Sequence, residues 1–252
     1  MVMENYKGLA YIYDYLLSGV DYEEWADYME QIFEYYAISP CDKIMDLACG
    51  TGSSTLPWAK RGYKVYGLDI APHMLKIARE KAENTMLDVV FLEGDMRSFK
   101  APLLVDAALL YQDGLNYLLN PEDVRRAFAA IYKALRPGGF FIFNLNHVEK
   151  LPASPAAEVY WVEDEELTMV WESCLEVREK TWRINFVAFL HQGDGLYQKI
   201  QEEHKERSYS HKEILDLLED TGWILRACYR GFTFQEPCQE DRNVFYVLQR
   251  EE

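Results

Sequence analysis

Nowhere in the 252-residue chain do about 18 apolar residues follow one another, so no helical membrane span is expected. The opening residues, MVMENYKGLAYIYDYLLSGVDYEE, lack the basic start, unbroken apolar stretch and small-residue cleavage site of a secretory leader. A cytoplasmic location is the expectation. Cysteine is scarce. Cys41, Cys49, Cys174, Cys228 and Cys238 are an odd number with no CxxC spacing, which speaks against a disulfide framework or a cysteine-bound zinc. No HxxxH pair, carboxylate cluster at ligand spacing or Cys/His grouping appears, so no metal is expected. Positive charge is in deficit too, with 26 Lys and Arg against 42 Asp and Glu and a net charge of −16. Nucleic-acid binders draw their affinity from clustered basic residues, so DNA or RNA is a disfavoured partner.

What the chain has is apolar and aromatic, with 49% hydrophobic residues that include 18 Tyr, 12 Phe and 6 Trp. That composition excludes a disordered polyampholyte. At roughly 150 residues per domain, the length suits one large domain or one domain with an insertion.

No repeat or low-complexity tract occurs, so the order of elements carries the information. A Tyr-rich helical N-terminus is expected over about 5–37. Lys43 to Cys49 reads as a short buried strand ended by Gly50-Thr51-Gly52. Ser53 or Ser54 is placed to cap a helix running to Arg61, with Pro57 in its first turn. Tyr63 to Ile70 is a second strand, and Ala71-Pro72 opens a helix through about Asn84. Val89 to Glu93 and Val105 to Tyr111 follow as strands. A helix from Asn120-Pro121 through Leu135 precedes a fifth strand, Phe140 to Leu145. This alternation calls for an α/β fold, a parallel sheet wound on both faces. Beyond His147 the period changes to two over Leu167 to Val177, Thr181 to His191 and Leu196 to Tyr209, with a turn at Gly193-Asp194-Gly195. Residues 150–209 therefore read as an antiparallel β insertion. Ser210 caps a helix to about Thr221, and Ile224 to Phe232 and Asn243 to Arg250 return to the main sheet.

The strongest motif is Ile44-Met45-Asp46-Leu47-Ala48-Cys49-Gly50-Thr51-Gly52. Glycines at a strand-to-helix turn let a ligand approach the backbone. Asp46 would repel a phosphate but could pair with an ammonium group. Asp69, seventeen residues beyond Gly52, stands where doubly wound folds place an acid on ribose hydroxyls. The dinucleotide fingerprint needs a small third residue where this chain has Thr55, which opposes a nicotinamide enzyme. Taken singly, a strand-terminal Asp is more often a cap or turn residue. Asp46, Asp69 and Asp95 in this order make a specific set.

The segments IMDLACGTG (44–52), VYGLDIAPHML (65–75), FLEGDM (91–96), VDAALLYQDGLNYL (105–118) and LRPGGFFIFNL (135–145) resemble class I S-adenosylmethionine-dependent methyltransferases. The resemblance covers nearly the whole chain. It is strongest with the small-molecule branch that carries an N-terminal "YD" helix and an antiparallel insertion after the fifth strand, which includes aminosugar N,N-dimethyltransferases. It implies a Rossmann-like, doubly wound, mostly parallel seven-stranded sheet, formed by residues 1–149 and 210–252. The insertion at 150–209 would act as an acceptor lid or dimer face. It also implies S-adenosyl-L-methionine as cofactor and methyl transfer to N or O of a small molecule by in-line displacement. Gly50 and Gly52 would pack beneath the methionyl part. Asp69 would take both ribose hydroxyls, with Ile70 against the adenine. Asp95 would accept from the adenine amino group while Met96 donates its backbone N–H to the ring. Tyr111 and Gln112 would lie along the methionine portion, and Tyr13 matches the tyrosine that closes over the cofactor. Ala48 departs from the glycine of many members.

In-line transfer needs alignment of nucleophile and methyl carbon, and a base only if the acceptor must first lose a proton. Candidates for that role, or for orienting an acceptor, are Asp113, Asn116, Tyr117, His147 and His191. Tyr111-Gln112-Asp113-Gly114 replaces the Asn-Pro-Pro-Tyr of enzymes that methylate DNA base amino groups, and no Cys sits where RNA cytosine methyltransferases place a nucleophile. Glu158, Glu163, Asp164, Glu165 and Glu166 crowd the start of the insertion. An ordinary solvated face is the simpler reading, and an acidic lid favouring an amine-bearing acceptor the sharper one. The expected partner is a small-molecule acceptor, with the chain a monomer or homodimer through its aromatic-rich insertion. The alternative is a cofactor-binding interaction protein with little turnover.

Overall fold

The computed structural model describes residues 8–38, 41–146, 158–176, 178–219, 221–238, 241 and 243–252. The helical N-terminal cover expected over about 5–37 is divided into separate pieces. A 3-10 turn at Leu9–Tyr11 leads into α1 (Tyr13–Leu16), and α2 (Tyr22–Tyr35) starts afresh behind Asp21, whose carboxylate accepts from the N–H groups of Glu23 and Glu24. A capping acid just after Gly19 satisfies the exposed amides of a new helix and so ends the old one.

β1 (Lys43–Leu47) leads through the glycine turn into α3 (Leu56–Lys60), which starts later than expected. Ser53 and Ser54 do not cap it, because their hydroxyls are turned to Asp14 and Asp46. β2 (Lys64–Asp69), α4 (Pro72–Thr85), β3 (Val89–Glu93), β4 (Val105–Leu110), α5 (Pro121–Ala134) and β5 (Leu135–Asn146) follow. β6 (Glu158–Glu163), β7 (Leu167–Glu176), β8 (Thr181–His191) and β9 (Tyr197–Arg207) form a separate four-stranded antiparallel sheet in that order. β6 had no counterpart in the sequence reading, since Val159, Tyr160, Trp161 and Val162 run apolar without alternation. α6 (His211–Leu218) has a full capping box between Ser210 and Glu213, and β10 (Trp223–Arg230) and β11 (Asn243–Arg250) close the chain.

The main sheet has the order β10-β11-β5-β4-β1-β2-β3, with β1 to β5 parallel and β11 antiparallel to both neighbours. Period two divides its side chains between two cores. Met45, Leu47, Leu110, Phe141 and Phe143 pack against Phe128, Ile131, Ile214 and Leu217 of α5 and α6. Ile44, Leu109, Ile142 and Phe245 pack against Met29 and Ile32 of α2 and Trp58 of α3. Asp46 shares the parity of Ile44, so it points to the side on which the turn before α3 lies.

The second sheet holds the cover down. Leu167, Met169, Ala188 and Ile200 on its inner face enclose Leu9 and Ile12. Glu202 Oε1 accepts from the N–H groups of Gly8 and Leu9 at 2.8 and 2.9 Å. A Cβ on Gly8 would lie 2.5 Å from Ile200 Cγ2, so only glycine lets the turn come this close.

Candidate active site

β1 to β3 run outward one way from the middle of the main sheet and β4 and β5 the other, so β1 and β4 flank the switch point where open α/β sheets bind ligands. Asp46 sits fully buried there. Its Oδ2 accepts from Ser54 Oγ at 2.8 Å and Thr55 Oγ1 at 2.6 Å, while Oδ1 is buried with no partner among the described residues. Desolvation raises its pKa to about 7 against the lowering effect of those two hydroxyls. A buried acceptor left without a donor fits a ligand that brings a cation.

The turn above Asp46 is built from left-handed backbone at Ala48 (φ +52°), Gly50 (φ +54°) and Gly52 (φ +79°). At Gly52 a Cβ would stand 3.1 Å from that of Ala78 and 3.2 Å from Phe91 Cζ, so the turn is also packed tightly onto α4 and β3. Ala48 adopts a conformation that costs an L residue roughly 1 kcal/mol relative to glycine. Asp69, at the end of β2, holds the turn's shape: its Oδ2 accepts from Gly50 N–H and its Oδ1 from Ala71 N–H, both at 2.8 Å. Burial raises the pKa of Asp69 in spite of these bonds.

The cover reaches the same turn. The Tyr13 ring is the nearest neighbour that a Cβ on Gly50 would meet, at 3.8 Å. Burial, followed by the charges of Tyr22, Asp69 and Glu206, pushes its hydroxyl pKa upward. Asp14 accepts from Thr51 Oγ1 at 2.6 Å and Ser53 Oγ at 2.9 Å and pairs with Lys81 of α4 at 2.5 Å. The sequence reading did not connect Asp14, Thr51, Ser53 and Lys81, and expected Ser53 only as a helix cap. Their only signal was Asp14 following Tyr13.

The other expected residues are placed as follows. Ile70 is 61% exposed at the end of β2, an apolar surface left open beside Asp69. The Asp95 carboxylate is engaged by the Arg97 guanidinium and backbone N–H, which hold its pKa low. Met96 packs against the α5 side of the core. Tyr111 is buried with its hydroxyl accepting from Trp58 Nε1 at 3.0 Å and its ring edge-on to Trp25. Gln112 and Asp113 are consecutive left-handed residues (φ +48° and +60°), a strained turn of the kind found at ligand sites. Gln112 Oε1 accepts from Tyr22 at 3.1 Å, and Asp113 Oδ1 from Asn144 Nδ2 at 2.9 Å.

Asn116 and Tyr117 lie in a 3-10 turn, Gly114–Tyr117, after β4, close to the end of β9. His147 lies outside the described residues. His191 lies apart from the other candidates. It is exposed, pairs in register with Tyr197 and sits beside the Gly193 turn, nine residues along β8 from Trp182. At about 3.3 Å per residue that is ~30 Å from the strand end facing Tyr117. The acidic tip Glu163 to Glu166 is a hairpin turn in which Asp164 accepts from the N–H groups of Glu166 and Leu167 and from the Tyr15 hydroxyl. Sequence reasoning missed Glu206, which β9 carries to Tyr117 and Asp113. No disulfide joins the five cysteines, no metal-binding cluster occurs among the described residues, and no helix there is long and apolar enough to cross a membrane.

Comparison with known proteins gives this geometry its chemistry. The profile of the methyltransferase domain matches residues 44–139, from β1 to the glycine pair opening β5. Residues 44–139 form a methyltransferase domain. A protein of Geobacillus sp. (strain WCH70) named as a methyltransferase is 27% identical over 98% of this chain and 100% of its own. An S-adenosylmethionine-dependent methyltransferase from Clostridium acetobutylicum has the same fold, with a TM-score of 0.86 at 24% identity over 98% of this chain and 99% of that one. The sugar N-methyltransferase KedS8 from Streptoalloteichus matches with a TM-score of 0.77 at 18% identity, over 96% of this chain and 93% of that one.

Proposed function

We propose that this methyltransferase transfers the methyl group of S-adenosylmethionine to a nitrogen or oxygen atom of a small molecule held between the end of β4 and the antiparallel sheet. The unpartnered, fully buried Asp46 Oδ1 supports the reading most directly, since the methionyl ammonium is the cation that it lacks. Gly50, Gly52 and the left-handed Ala48 leave backbone open to the methionyl part. Asp69 retains lone pairs for the ribose hydroxyls, and the exposed Ile70 lies open to the adenine. Asp95, steadied by Arg97, and the Met96 N–H would take the adenine edge. Tyr111 and Gln112 would flank the methionine portion. When bound, the sulfonium supplies a methyl carbon open to displacement and keeps the bonding pair on sulfur. Tyr13 closes over Gly50 and keeps water off this region. The cover and the second sheet enclose the site, which suits a small acceptor better than a polymer.

Isothermal titration with S-adenosylmethionine is expected to show binding below millimolar concentration, weakened at least tenfold in Asp69→Ala. Labelled methyl transfer into a pool of cell metabolites is expected from the wild type. No binding, or binding without transfer to any metabolite, would overturn this reading.

A further inference from the structure

Glu206 was not among the candidates. Register pairs it with Trp182 on the face of the antiparallel sheet that also carries Ile200 and Ala188, and that face is turned to the cover. Asn116 Nδ2 donates to the backbone oxygen of Arg207 at 2.8 Å and so fixes the end of β9 against the 3-10 turn that follows β4. In this position the Glu206 carboxylate accepts from the Tyr117 hydroxyl, faces Asp113 across the end of β4 and lies within the field of Tyr13. No lysine or arginine of the described residues is paired with it. Rings complete the wall: His204, two residues earlier on the same face, is edge-on to Tyr117 at 6.1 Å and to Phe186 at 5.5 Å. A buried Glu206 carboxylate, with no lysine or arginine of the described residues paired to it and aromatic rings beside it, describes a receptor for a cationic group. Tyr13 links this wall to the glycine turn, since its ring lies over Gly50 while its hydroxyl senses both Asp69 and Glu206.

We propose that the methyl acceptor is an amine, and that Glu206 receives its ammonium group and takes the proton, with Tyr117 as a positioning residue. The inference rests on the methyl-transfer reading above. An N–H bond of the ammonium breaks, an O–H bond forms on a Glu206 carboxylate oxygen, and the freed pair on nitrogen makes the new N–C bond. The C–S bond of the donor breaks with its pair left on sulfur, and the methylated nitrogen carries the positive charge. Burial, reinforced by Asp113 and opposed by Tyr117, places the Glu206 pKa at about 7, which suits a carboxylate that accepts and releases a proton near neutrality.

The test uses the full chain, radiolabelled S-adenosylmethionine and a metabolite pool separated on a cation exchanger. Label is expected in retained, cationic products. Glu206→Gln is expected to lower transfer at least tenfold and to lose the rate limb that rises through about pH 7, while Glu206→Asp restores part of both. S-adenosylhomocysteine affinity in Glu206→Gln is expected to match the wild type and its melting temperature to be no lower, which separates loss of the acceptor group from loss of the fold. Neutral or anionic labelled products, or a Glu206→Gln enzyme with the wild-type rate and pH profile, would overturn the Glu206 proposal alone. Failure of the wild type to transfer label would overturn both readings.

Discussion

Asp46 shows what one buried carboxyl does to both stability and ligand choice. Its pKa in the folded chain is about 7, well above the 3.8 of an exposed aspartate. The folded state therefore keeps a proton that the unfolded state has released, so stability falls as pH rises between about 4 and 7, and the full penalty is present above that window. Asp46→Asn removes the charge at nearly constant shape. Its melting temperature is expected to exceed that of the wild type at pH 8 and to equal it at pH 4, a difference on the order of 4 kcal/mol in stability. Calorimetry at pH 8 is expected to show at least tenfold weaker S-adenosylmethionine binding; equal affinity would remove Asp46 from the ammonium site. Asp46 was legible in the sequence because an acid inside a strand-to-glycine turn has few uses. The left-handed geometry of Ala48 was not, because an alanine carries no mark of the backbone angle that its neighbours impose.

Strand ends and their order could be read from the sequence, since β1, β2, β4 and β5 are apolar runs punctuated by Gly, Pro and Asp. The division of the cover into α1 and α2 was harder, because Gly19 and Asp21 are weak breaks within a long Tyr-rich helical pattern. Nor could the sequence reveal what ties α1 to the rest. Asp14 is bonded to Thr51, Ser53 and Lys81, all more than thirty residues away, and such partners exist only once the sheet has formed. Asp14→Ala is expected to unseat Tyr13 from the glycine turn and to raise the dissociation constant for S-adenosylmethionine by about five- to tenfold. The accompanying stability loss is small, at most about 1 kcal/mol, because Asp14 is 41% exposed and its ion pair is screened. Unchanged affinity would mean that the cover does not shape the site.

At the level of the whole molecule, the net charge of −16 has several origins. Asp46, Asp69, Asp113 and Glu206 line the centre, while Asp164 serves a hairpin turn and Asp95 is held by Arg97. The period-two pattern announced the antiparallel sheet, but the direction of Glu206 depends on cross-strand register and on Asn116 holding Arg207, which no local pattern encodes. The latch at Glu202 offers a direct measure of roof opening. Hydrogen exchange at the Leu9 amide is expected to be slow in the wild type and faster by an order of magnitude or more in Glu202→Gln and Gly8→Ala. Equal rates would show that the roof is held elsewhere.

The same latch spans 194 residues of sequence, from Gly8 to Glu202. During synthesis the segment around Leu9 leaves the ribosome long before it can find its seat, for Leu9 and Ile12 have no apolar bed until Leu167, Met169, Ala188 and Ile200 have been made. The half-built chain can close its central strands and display the glycine turn, yet the chamber over them stays unroofed until translation has passed β9.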